Sequence, residues 1–83
     1  MKNKIPMWKY SSPIGNMYII QQRNGKFGLL YEDTIWDEGI TPQAIADDVF
    51  CYSTSCYEWD SLNGRILDVP PDLSAWEYLP HTP

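Results

Sequence analysis

Eighty-three residues leave room for one small core and no second domain, and a net charge of −5 with a pI near 4.5 argues against a chain that coats itself on nucleic acid through bulk positive charge. Apolar residues make up 43% of the chain, and four Trp, six Tyr and two Phe are a heavy aromatic load for this length. Large rings fill a small core efficiently, and they can also serve a binding face. No run of about 18 apolar residues is present, so no membrane span is predicted. The basic start, Met1 to Pro6, is not followed by the apolar stretch of a secretory signal, and a cytoplasmic location is expected.

In chain order, residues 1–6 read as a flexible lead-in. Met7 to Tyr10 has the makings of a short strand, with Trp8 and Tyr10 on one face at a period of two. Ser11 to Asn16, containing Pro13 and Gly15, reads as a turn. Met17 to Gln22 is the clearest strand, and Asn24-Gly25 after it predicts a type I′ hairpin turn. Phe27 to Tyr31 returns with Phe27, Leu29 and Tyr31 on one face and Leu30 on the other. Glu32-Asp33 forms the next turn, and Thr34 to Asp37 the third strand of an antiparallel meander.

Thr41-Pro42 is a helix start: Thr is a good N-cap, and Pro suits the first turn, where its missing N–H has no partner to lose. The spacing predicts a helix from Pro42 to about Tyr52. Ile45, Val49 and Tyr52 form its apolar stripe, Ala46 and Phe50 widen it, and Asp47 and Asp48 fall on the exposed arc. Ser53 to Ser55 break it. Tyr57 to Leu62 reads as one or two helical turns with Ser55 as cap. Asn63-Gly64 is a turn, Ile66 to Val69 a short apolar piece, and Pro70-Pro71 a stop. Asp72 then caps a last turn through Trp76, and residues 80–83 form a tail. The expected fold is α+β: a three-stranded antiparallel meander packed on one α-helix, then an irregular C-terminal wrap with short helical turns. One domain spans residues 7–79, and Trp59, Leu62, Leu67, Leu73 and Trp76 pin the wrap to the core.

Charge is unevenly distributed. The first 31 residues hold five bases and no acid; the last 52 hold Arg65 and all eleven acids. Attraction between the two halves within one fold accounts for this blandly, and a partner surface accounts for it functionally. Cys51 and Cys56, without a secretion signal, read as reduced thiols. The sole His, His81, is too little company for them to make a zinc site, so neither metal nor cofactor is expected.

The pieces Ser12-Pro13-Ile14-Gly15, Gly25-Lys26-Phe27-Gly28-Leu29, Thr41-Pro42-Gln43 with Ala46-Asp47-Asp48-Val49, Glu58-Trp59-Asp60, and Pro71-Asp72-Leu73-Ser74-Ala75-Trp76 together form a recognisable set. It resembles a group of small uncharacterised bacterial proteins, matched from about Trp8 to Trp76. The resemblance implies a bacterial or mobile-element origin and brings no activity or ligand with it.

Catalysis has little to work with. A Ser–His or Cys–His arrangement would need His81 folded into a cleft. The carboxylate pairs Glu32-Asp33, Asp37-Glu38, Asp47-Asp48 and Glu58 with Asp60 could do acid–base work only in a cleft that raises a pKa, and on turns and polar arcs such pairs are usually solvated. Trp59 between Glu58 and Asp60 reads either as a core plug with wet acids beside it or as an interface anchor. Two functions lead, with an enzyme working through a carboxylate pair in a deep cleft as a third. The first is a non-enzymatic protein-binding module or inhibitor, of which one version mimics DNA phosphates with its carboxylates. Its candidate surface is Asp47, Asp48, Glu58 and Asp60, facing a partner with a basic surface. The second is a small nucleic-acid-binding domain that uses the N-terminal hairpin, with Trp8, Tyr10, Tyr18 and Phe27 as stacking faces beside Lys9, Arg23 and Lys26.

Overall fold

A computed structural model describes residues 7–65 and 68–79. Its strands are β1 (Met7–Ser12), β2 (Gly15–Gln21), β3 (Phe27–Tyr31), β4 (Thr34–Gly39) and β5 (Glu77–Leu79); its helices are α1 (Pro42–Phe50), the single turn α2 (Tyr57–Asp60) and a 3-10 turn at Leu73–Ala75 capped by Asp72. The fold is α+β, as expected, but the antiparallel sheet has five strands in the order β4-β3-β2-β1-β5. The meander is extended at one side by β1, a full strand paired with β2 along six residues, and then by β5, which returns to pair with Met7, Trp8 and Lys9. The expected lead-in at 1–6, the tail at 80–83 and Leu67 lie outside the described residues.

The turns follow from backbone chemistry. At Asn24-Gly25 the turn is not type I′: among its residues Gly25 alone has positive φ, and the Gly25 amide donates to the Gln22 carbonyl (3.0 Å) while Gln22 and Lys26 pair beneath it. This is a three-residue loop closed by a glycine bulge. The two-residue turn with both φ positive is Glu32-Asp33 instead, at 51° and 62°.

The helix begins where Thr41 and Pro42 place it; the Thr41 hydroxyl accepts from the Ala44 amide (3.1 Å). It stops at Phe50, two residues short of the expected end, because the chain swings to positive φ at Tyr52. Ile45, Ala46 and Val49 are buried against β2, β3 and β4. Burying Ile and Val side chains stabilises by about 1.5–3 kcal/mol each, against about 1 kcal/mol for the cap, so packing more than capping holds α1 in place. Phe50, expected in the stripe, is exposed, and Asp48, expected on the open arc, is half-buried. The stripe is narrower than its periphery suggested: centred on Ile45 and Val49, it leaves Phe50 at one flank and turns Asp48 toward β4 at the other.

Met17 and Ile19 of β2 and Leu29 and Tyr31 of β3 meet the helix, and the core is completed by Cys56, Trp59, Val69 and Trp76. Trp59 is its hub and is fully buried. The indole stacks on Tyr52 (5.1 Å, 15°), meets the edge of Tyr10 (5.9 Å, 87°), and donates Nε1–H to the Val49 carbonyl at 2.9 Å. That carbonyl, in the last turn of α1, also accepts the Tyr52 amide at 3.2 Å, so the indole ties the helix end to the core. The other face of the sheet shows half-buried Met7, Tyr18, Ile20, Leu30, Ile35 and Leu79, with no described element laid over it.

Candidate functional site

Strand directions sort the charges. β2 and β3 meet at the Arg23–Lys26 loop at one end of the sheet, where α1 also begins; α1 ends at the opposite end, near the Glu32-Asp33 turn. Arg23 and Lys26 thus lie at one end of the sheet and Glu32 and Asp33 at the other, while Glu38, opposite Gly28, stays near the basic loop. The acidic end holds α2 and the segment joining it to α1.

The four acids singled out from sequence separate into different roles there. Asp60 is half-buried and turned inward. Its carboxylate accepts from the Thr54 amide (3.0 and 3.1 Å), the Thr54 hydroxyl (2.8 Å) and the Ser55 amide (3.0 Å), and the Thr54 hydroxyl in turn accepts from the Cys56 amide (3.1 Å). Thr54 is fully buried and Ser55 has φ of 72°, so Asp60 is the counterweight that holds this tight loop closed. Ser55 does not cap α2; the N-cap is Cys56, whose side chain makes no capping bond. Asp47 and Glu58 are exposed. Glu58 lies beside the buried Tyr31 hydroxyl, which donates to the Ile14 carbonyl at 2.8 Å; burial first, and then the Glu58 carboxylate, push that hydroxyl up to about 12.

Asp48 meets an acid that the sequence had paired with Glu38. Between Leu29 and Leu30 the β3–β4 register shifts, so that Ile35 stands opposite Leu30, Asp37 opposite Leu29, and Trp36 is the extra residue of a bulge. The Trp36 indole N–H donates back to the Tyr31 carbonyl at 3.0 Å. Asp37 therefore faces the core side, below α1. Its Oδ2 is buried and finds no donor among the described residues, and the side chain it meets is Asp48. Burial, then the hydrogen bond with Asp48 and the charge of Asp48, push Asp37 up to about 7; the Glu38 backbone amide pulls the other way, and Asp60 adds a smaller upward push. Glu38 is on the opposite face, where Gly28, lacking a side chain, lets Gln22 cross over and donate to the Glu38 carboxylate at 2.9 Å. A shallow cleft of about 400 Å³ lined by Ile35, Trp36, Asp37, Glu38 and Ser55 opens beside the pair.

Two exposed aromatic residues complete this end. Phe50, 44% exposed, lies three residues after Asp47 on the open arc of α1, and Tyr57, 82% exposed, directly precedes Glu58. Sequence alone marks neither: periodicity assigns Phe50 to packing, and a Tyr in a short helix carries no signal of its own exposure. Cys51 is exposed and Cys56 buried, and both are free thiols. No group of His, Cys, Asp and Glu among the described residues is disposed to hold a metal ion, and no described helix is long and apolar enough to cross a membrane. Comparisons with protein-family models, with curated proteins and with solved structures each yield no match.

Proposed function

We propose that this chain is a non-enzymatic binding module whose acidic end receives a protein with a basic surface. The observation that supports it is the pairing of open aromatic side chains with open carboxylates: Phe50 with Asp47 on α1, and Tyr57 with Glu58 on α2. Aromatic residues supply contact energy at interfaces, and charges of one sign supply steering and choice of partner. The local electrostatics lean the same way. Asp47 and Asp48 sit in the last turn of α1, which holds no basic residue, and an acid there opposes the helix dipole at a cost of about 0.3–1 kcal/mol. A partner's Lys or Arg side chains would relieve that cost. In the narrower version, an inhibitor that imitates DNA phosphates, the partner's surface is a groove that otherwise holds nucleic acid.

The nucleic-acid reading has less to draw on. Tyr10 packs on Trp59 and Trp76, and Trp8 packs between Phe27 and Tyr78, so these rings are occupied within the fold. Tyr18, on the far face, is left beside Lys9.

The binding reading is tested by capture from bacterial lysate with the unmodified chain and with an Asp47→Lys/Glu58→Lys variant, at about 50 and 300 mM salt. A partner held at low salt, released at high salt and missed by the charge-reversed variant is the expected result. Equal capture by both proteins, or none by either, would overturn it.

A further inference from the structure

We propose that the Asp37–Asp48 pair is a proton-operated latch between β4 and α1: a proton shared by the two carboxyl groups seats the end of the helix on the strand, and its loss loosens that contact.

The geometry leads there in three steps. First, the Trp36 bulge turns Asp37 to the core face, opposite Leu29, where simple alternation would have placed it beside Ile35 on the open face. Second, Asp37 Oδ2 is buried with no donor among the described residues, and a buried acceptor without a donor destabilises the fold. Third, the group that Asp37 meets across the gap is Asp48, on the flank of α1 that faces β4. Two ionised carboxylates have no hydrogen between them to share, and they repel. One proton converts the contact into an O–H···O⁻ hydrogen bond, which is short and strong.

Among the described residues, the charged groups that act on Asp37 give no other counterweight. From α1 the neighbour is Asp48. From the loop and α2 it is Asp60, also an acid, whose oxygens are taken by Thr54 and Ser55. On β4 itself, the Glu38 side chain goes to Gln22 on the other face, and only its backbone amide acts on Asp37.

The sign follows from linkage. The folded-state value of Asp37, about 7, lies above the value near 3.9 of an unfolded Asp. The folded chain therefore binds the extra proton, and the stability this confers is whole below about pH 4 and is lost as pH rises through about 7. The other carboxylates complicate the acid end of that range, so the informative window is pH 5.5 to 8.5. This latch shares Asp48 with the binding reading above, but its test uses neither Asp47 nor Glu58 and is read out without a partner, so the two fail independently.

The experiment is urea denaturation of the full chain at pH 5.5, 7.0 and 8.5, repeated in a His81→Gln background so that the single imidazole does not titrate in the window. The expected midpoint falls from pH 5.5 to 8.5. In Asp37→Asn the amide donates to Asp48 at every pH, and the midpoint stays level; Asp48→Asn, donating the other way, does the same. A level profile in the unmodified chain, or an equal fall in both Asn variants, would overturn the latch. Should neither variant fold, carboxyl carbon NMR of the unmodified chain decides: an Asp37 titration midpoint above about 6 supports the latch, and one below 5 removes it.

Discussion

Asp60 and Asp47 show how differently two acids of one short stretch can behave. Asp60 holds two backbone amides and a buried hydroxyl. Asp60→Ala leaves those donors without their acceptor, and removing a charged acceptor from such a set costs about 2–3 kcal/mol. In a domain of marginal total stability that is a large share, so the urea midpoint is expected to drop clearly. Asp47→Ala, on the open arc in the last turn of α1, is expected to stay within about 0.5 kcal/mol of the unmodified chain, and to err toward stabilisation because it removes a charge that opposes the helix dipole. The same denaturation series measures both. Sequence alone grouped these residues because they share a charge; their separation depends on Ser55 taking a positive φ, which aims the Thr54 and Ser55 amides at one point. No periodicity announces that.

At the scale of elements, legibility tracked how local the cause was. The meander and the start of α1 could be read because their punctuation is local: Gly25 at a loop, Thr41 and Pro42 at a helix end, alternating apolar residues between them. β5 could not, because three residues carry no periodicity and their pairing is decided by β1, some seventy positions earlier. The Asp37–Asp48 contact was hidden for a similar reason. It needs the Trp36 bulge, and a bulge inverts the face of the residues beyond it. The Glu32-Asp33 turn offers a direct check on this account. Both residues hold a positive φ that Asn and Gly accept far more readily. Glu32→Asn/Asp33→Gly is expected to stabilise by about 1 kcal/mol, raising the thermal midpoint by about 4–8 °C in a domain of this size. No rise, with the hairpin register intact by NMR, would mean that this turn is held by other contacts.

Across the whole molecule the first and last described strands meet. Trp8 of β1 and Tyr78 of β5 are directly paired, with ring centres 5.1 Å apart. A double-mutant cycle on Trp8→Ala and Tyr78→Ala is expected to return a coupling of about 0.5–1.5 kcal/mol; additive losses would show the rings to be neighbours without being partners. The same architecture spreads charge lengthwise, with Arg23 and Lys26 at one end of the sheet and the carboxylates of α2 and the Glu32-Asp33 turn toward the other. A basic partner drawn to one end is therefore met by like charge at the other, which gives approach a direction as well as a strength.

The position of β1 also matters while the protein is being made. Its outer edge is covered by a strand ending at Leu79. On the ribosome the first hairpin can assemble early, yet the Met7 to Lys9 edge stays bare until residues 77–79 have emerged. A growing chain thus carries an open strand edge, flanked by Trp8, until then, and such edges invite pairing with neighbouring chains. Aggregation during high-level expression should accordingly depend on how soon residues 77–79 reach β1, as well as on the stability of the finished fold.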